Sequence, residues 1–148
     1  MVKAKDFWNY LCNTLEYRFF AGVPCLEFKK LYDTMTSEIM HYIPAVNINT
    51  ALGMASGVNV SGIKSGIIFH IRELCYLLND YNNFNKIYEI PVLFIVYSNE
   101  EDLNLLTSNK IPHTTMKDDF ETQLKRITNK MEKEKAPCAL IIKEEIFE

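Results

Sequence analysis

The run Ile90-Pro91-Val92-Leu93-Phe94-Ile95-Val96-Tyr97 constrains the fold more than any other stretch of the chain. It is short, continuous and apolar, and rich in β-branched and aromatic residues. Alternation of apolar and polar positions would mark a strand wet on one face. A continuous apolar run of this length marks a strand covered on both faces, as in a parallel sheet. Pro91 stands at the strand's entry, where a missing N–H is tolerated. Ser65-Gly66-Ile67-Ile68-Phe69-His70 and Ala136-Pro137-Cys138-Ala139-Leu140-Ile141-Ile142 have the same character. The strand over 90–97 is expected at the centre of the sheet.

The intervening stretches carry helical spacing. Phe7, Leu11 and Leu15, widened by Trp8 and Cys12, predict a helix over 3–17. A strand is expected over 19–24, closed at Pro24, followed by a helix near 25–35 with Leu26, Leu31 and Met35 inward. Residues 71–80 read as a helix burying Leu74, Leu77 and Leu78, and 79–85 as a polar, aromatic loop. A short helix is expected over 99–108, capped by Ser98 or Asn99 with acids in its first turn. Residues 111–113 read as a short extended piece. Thr115, with Asp118 as a capping-box-like partner, is expected to start a helix reaching about 133. Its apolar stripe is Phe120, Leu124, Ile127 and Met131, and Lys130, Lys133 and Lys135 suit its C-terminal end. Residues 144–148 read as a charged tail around Ile146 and Phe147. Short apolar strands alternating with helices predict one domain over 1–148: a three-layer α/β/α sandwich with a mainly parallel central sheet. Right-handed crossovers place helices on both faces.

Tyr42-Ile43-Pro44-Ala45-Val46 then reads as a strand, Asn47 as a helix N-cap, and the residues through Gly57 as a helix. Gly53 and Gly57 weaken a helix, so close backbone approach is expected there. A helix N-terminus just beyond a strand's carboxyl end is where open α/β sheets place ligands.

At 148 residues the chain is long enough for a full core, with 48% hydrophobic and 24% charged residues. The formal charge of −3 argues against nucleic acid as a partner. The apolar runs are too short to span a bilayer, and the N-terminus has no signal-peptide core. Cys12, Cys25, Cys75 and Cys138 are widely spaced without C-x-x-C, which predicts reduced thiols and a cytoplasmic protein. His41, His70 and His113 are scattered, and no structural metal is expected. No phosphate-binding glycine loop, dinucleotide fingerprint or nucleophile elbow is present. The acid pairs Glu100-Glu101, Asp118-Asp119 and Glu144-Glu145 read as solvated residues at helix starts or in the tail. His70 ends an apolar strand, where it faces a ligand at the sheet's carboxyl edge or is satisfied by a loop carbonyl.

The order of these segments resembles the N-terminal, pyrimidine-binding (PYR) domain of thiamine diphosphate-dependent decarboxylases. It is most similar to sulfopyruvate decarboxylase alpha subunits and phosphonopyruvate decarboxylases. The resemblance rests on Phe20-Ala21-Gly22-Val23-Pro24, on Ala45-Val46-Asn47 with the small-residue helix through Gly57, on Ile90-Pro91-Val92-Leu93-Phe94-Ile95 and on Pro137-Cys138-Ala139-Leu140-Ile141-Ile142-Lys143. It implies that Pro24, Asn47, Ile48, Asn49 and Thr50 border the thiamine diphosphate; His70, at the strand end beside them, is expected to be catalytic if the chain belongs to such an enzyme. It also implies a second chain carrying the diphosphate-binding domain and its magnesium ligands.

The chain departs from the family in three places. Ile48 stands where the family has the glutamate that drives the aminopyrimidine into its imino tautomer, and isoleucine cannot accept or pass a proton. His70-Ile71-Arg72-Glu73 replaces a small polar Gln-Asn-Ser-Gly loop, and the segment after Ser98 is shorter. Two functions are therefore expected as alternatives. One is the alpha subunit of a split decarboxylase acting on a sulfonated or phosphonated pyruvate. The other is a degenerate domain that has kept the fold and works as a regulatory or interaction subunit, as a homodimer or with another protein.

Overall fold

The computed structural model describes residues 1–99, 103–143 and 145–148. Six strands form one sheet in the order β2-β1-β3-β4-β6-β5, and every neighbouring pair is parallel. They are β1 (Tyr17–Gly22), β2 (His41–Pro44), β3 (Lys64–His70), β4 (Leu93–Tyr97), β5 (His113–Thr115) and β6 (Cys138–Ile142). β4 lies inside the sheet between β3 and β6, with all five side chains buried. The mainly parallel sandwich expected from the apolar runs is the fold observed.

The period-two geometry of the strands sorts their side chains onto two cores. Tyr17, Phe20, Ile68, Leu93, Ile95, Leu140 and Ile142 face one layer. It is formed by α1 (Ala4–Trp8) with its π-helical extension Asn9–Thr14, α2 (Lys29–Asp33) and α6 (Phe120–Glu134). Phe19, Ala21, Ile67, Phe69, Phe94, Val96 and Ile141 face the other. That layer is formed by α3 (Ile48–Val60), α4 (Leu74–Asp80) and α5 (Asn104–Ser108). Trp8 is fully buried in the first core, donates from Nε1 to the Leu31 carbonyl at 2.9 Å, and meets Phe20 edge-on with ring centroids 5.1 Å apart. The Phe120, Leu124, Ile127 and Met131 stripe of α6 is buried there too. Val2 bridges Phe147, so the C-terminal segment is tied to the N-terminus rather than being only a charged tail.

Several expectations are corrected. The first helix is α-helical only to Trp8 and widens into a π-turn that ends at Thr14. The helix expected near 25–35 is a 3₁₀ turn, Leu26–Phe28, followed by the short α2. Leu26 is 88% exposed, and Phe28 is the buried residue, because the 3₁₀ turn shifts the inward face by two positions. Residues 81–85 form a π-turn rather than a loop, burying Tyr81 and Asn85, whose Nδ2 donates to Ser56 Oγ at 2.9 Å. Thr115 belongs to β5 and caps nothing; α6 starts at Phe120 without a side-chain cap. The helix expected over 99–108 is observed over Asn104–Ser108, and the acids expected in its first turn, Glu100, Glu101 and Asp102, lie outside the described residues.

Gly53 and Gly57 bring no backbone close. A Cβ at either would meet nothing within 4 Å, and both face outward from α3. Gly53→Ala is therefore expected to stabilise the chain by about 0.5–1 kcal/mol, because only the backbone-entropy cost of glycine changes. A urea midpoint unchanged or lower than wild type would contradict the open surroundings of that face.

Candidate functional site at the switch point of the sheet

From β1 the chain moves outward to β2, and α3 then carries it back across β1 to β3. The strand order therefore reverses between β1 and β3. Crevices in open α/β sheets lie at the carboxyl ends of the strands flanking such a reversal. Here those ends are Gly22, which pairs in register with Ile68, and His70, which pairs with Tyr97. The three segments holding the predicted site residues all emerge at this edge: Pro24 after β1, Asn47–Thr50 after β2, and His70 at the end of β3.

The structure treats these residues differently. Asn47 has extended backbone, and its Oδ1 accepts from the Thr50 N–H at 2.8 Å. That bond satisfies one of the orphan donors of α3 and leaves the Asn47 Nδ2 protons available. Asn47→Ala is expected to cost about 1 kcal/mol, read as a lower thermal midpoint. Asn49 turns away to α4, where Nδ2 donates to the Tyr76 carbonyl at 3.0 Å and to Asp80 Oδ2 at 2.7 Å. Ile48 is 1% exposed and packs in the second core with Ala51 and Leu52. Thr50 and Pro24 are exposed at the edge. The beginning of α3 thus presents two exposed polar residues around a side chain turned into the interior.

His70 is held from three sides. The Arg72 N–H donates to its Nδ1 at 3.1 Å, so the neutral ring carries its proton on Nε2. That nitrogen lies 3.9 Å from Glu27 Oε1, and the ring leans on Tyr97 with centroids 5.3 Å apart. His70 is therefore satisfied by a backbone N–H rather than by a loop carbonyl, with its second nitrogen turned toward a carboxylate. Glu27 escaped the sequence reading because it lies in the 3₁₀ turn after β1, and nothing in its neighbours signals that β1 and β3 are adjacent. Cys25, nearby, is buried. Burial, and then the Glu27 charge, push its thiol up from the ordinary value, which disfavours the thiolate. Cys12 and Cys138 are likewise pushed up to about 12, in both cases chiefly by burial.

Fold and edge together define an open, doubly wound α/β domain with polar residues gathered at the carboxyl edge beside its topological switch point. No helix among the described residues is long and apolar enough to cross a membrane.

No protein-family profile matches the chain. Among curated proteins it is similar to the sulfopyruvate decarboxylase subunit alpha of Methanococcus maripaludis, 26% identical over 95 residues, which is 64% of this chain and 56% of that protein. Among solved structures it matches a chain of 2-oxoglutarate:ferredoxin oxidoreductase from Magnetococcus marinus, with 2-oxoglutarate, coenzyme A and succinyl-CoA bound. That match has a TM-score of 0.78 and 14% identity, over 98% of this chain and 29% of the other. The second likeness shows a shared fold. The chain spans just over half of the curated relative and under a third of the solved chain. The resemblance to sulfopyruvate decarboxylase alpha subunits, carried by short motifs, recurs as similarity over these 95 residues.

Proposed function

We propose that the chain is the pyrimidine-side, alpha subunit of a two-chain thiamine diphosphate-dependent 2-oxoacid decarboxylase acting on a sulfonated or phosphonated pyruvate. The observation that carries this reading is the similarity to a sulfopyruvate decarboxylase alpha subunit, in a chain whose Asn47-capped helix opens at the switch-point edge of the sheet. Thiamine diphosphate, when bound, supplies an electron sink for the pair released with carbon dioxide. This chain would hold the pyrimidine end through Pro24, Asn47 and Thr50, which are exposed at this edge. His70 would present its Nε2 proton there, oriented by the Arg72 N–H and Glu27. A second chain would supply the diphosphate and magnesium ligands.

The residues fit a holding role and not the family's usual proton relay. Ile48 has no proton to give and its side chain lies in the core, while Asn49 is bonded to α4. The same observation favours the second reading, a catalytically degenerate subunit that docks on a partner or on itself through this edge without taking up cofactor.

One experiment separates the two. The chain is titrated with thiamine diphosphate and magnesium in the presence of the protein encoded beside it, sought as a domain of about 180 residues bearing Gly-Asp-Gly. Cofactor uptake by the pair is expected for the enzyme. A stable pair or self-pair without uptake would replace it with the docking subunit.

A further inference from the structure

A concave site lies at the opposite end of the sheet, where the amino end of the edge strand β5 meets α6. It is a cleft of about 480 Å³, within the size range of small-molecule sites. Ile111 and Ile127 lie beneath it, both almost fully buried. Its walls are cationic. Arg126 and Lys130, four residues apart, share a face of α6, and Lys110 joins them from the turn after α5. The hydroxyl-bearing Thr107 and Thr114 complete the lining with Pro112 and His113, and no acid lines it.

These charges are poorly compensated by the protein. Among the described residues Lys110 and Arg126 form no ion pair, and Lys130 meets only Glu134 at 3.9 Å, with both side chains about half exposed. This clustering occurs on a chain with a net charge of −3, so it does not follow from a generally basic surface. Like charges gathered around a concavity repel one another and are relieved by an anion of matching charge. A single carboxylate would answer one of the three cations. A phosphate ester brings about two charges and several acceptor oxygens, which suit an Arg and Lys set with hydroxyls beside it. His113 supports the polar wall. Its Nδ1 lies 2.9 Å from the Ile111 carbonyl oxygen, which only accepts, so Nδ1 carries the proton and Nε2 is the ring's remaining polar atom.

We propose that this cleft binds a small phosphate-bearing anion, with the phosphate against Lys110, Arg126 and Lys130. The site is separate from the polar residues at the carboxyl edge. β1 and β5 are separated by three strands in the sheet, and the two sites open at opposite strand ends. The inference therefore does not rest on the proposed decarboxylase.

The test is isothermal titration calorimetry of the full chain in a low-salt, phosphate-free buffer, with inorganic pyrophosphate and adenosine diphosphate as separate probes. Saturable binding is expected, and Lys110→Ala and Arg126→Ala are each expected to weaken it roughly tenfold or more, the loss of a charge-assisted contact. Lys117→Ala, an exposed lysine outside the cleft, is expected to leave binding unchanged. Tighter binding of the diphosphate nucleotide would mark an organic phosphate as the ligand; equal or tighter binding of pyrophosphate would mark the free anion. All substituted side chains are exposed, and an unchanged thermal midpoint confirms that each variant is folded. Three results would overturn the proposal: no saturable heat with either probe up to about 1 mM, equal weakening by Lys117→Ala, or binding of polyglutamate in place of both probes.

Discussion

Gly22→Ala is expected to cost the fold about 3 kcal/mol or more, at the upper end of what overpacking does. Gly22 closes β1 between Pro44 of β2 and Ile68 of β3. A Cβ built there would stand 2.2 Å from the Ile68 carbonyl oxygen and 3.1 Å from its carbon. Ordinary carbon contacts lie near 3.5 Å or beyond, so β1 and β3 would have to part by about 1 Å. The obstructing atom belongs to the backbone of an interior strand and cannot swing aside as a side chain could. Gly66 makes the contrast: its would-be Cβ meets the Leu93 carbonyl oxygen at 3.0 Å and the Phe20 ring at 3.0 Å, a milder crowding. A domain's whole stability is on the order of 5–15 kcal/mol, so the Gly22 substitution removes a large share of it. Urea denaturation is expected to show a midpoint lowered by about 1–2 M. A wild-type midpoint would mean that β1 and β3 stand farther apart than described. The same substitution would disturb the switch point itself, so loss of ligand binding is expected to accompany the loss of stability.

His70→Ala is expected to lower turnover of the assembled two-chain enzyme by about 10²–10⁴-fold, the usual worth of a positioned proton-transfer group. The expectation rests on the proposed decarboxylase and on the orientation of the ring. With Nδ1 accepting from Arg72, the neutral ring has its proton on the nitrogen facing Glu27, at the carboxyl edge of the sheet. His70→Asn separates chemistry from structure, because asparagine can still accept the Arg72 N–H as a cap but cannot titrate. Both variants are expected to remain folded, the alanine form losing about 1 kcal/mol with the cap. Wild-type turnover in a stably folded His70→Asn enzyme would end the assignment and leave His70 as a cap of the turn that follows β3.

The strands were the legible part of this chain, and the reason is local. Burial on both faces requires apolar residues at every position, so β3, β4 and β6 announce themselves without reference to their neighbours. The α6 stripe was legible for the same reason: helical period and burial coincide at Phe120, Leu124, Ile127 and Met131. The short elements were not. Leu26 sits in an apolar stretch, yet a single turn of 3₁₀ geometry sends it to solvent and Phe28 inward. Gly53 and Gly57 looked like contact points, whereas the glycine that brings two backbones together is Gly22, whose neighbour is some forty-five residues away along the chain.

The candidate site divides in the same way. The Asn47 cap and the isoleucine at position 48 could be read directly, because capping and acid–base capacity are properties of residue types. The fate of Ile48 inside the second core and the meeting of His70 with Glu27 required the crossover that sets β3 beside β1. The amino-acid order alone determined a doubly covered parallel sheet, a capped helix at its carboxyl edge and the lack of a carboxylate at position 48, since each follows from short-range pattern and side-chain chemistry. Tertiary structure alone decided which strands are neighbours, which polar groups are spent on one another and where the cations of the β5–α6 cleft gather. Those are contacts between distant segments, and no local pattern encodes them.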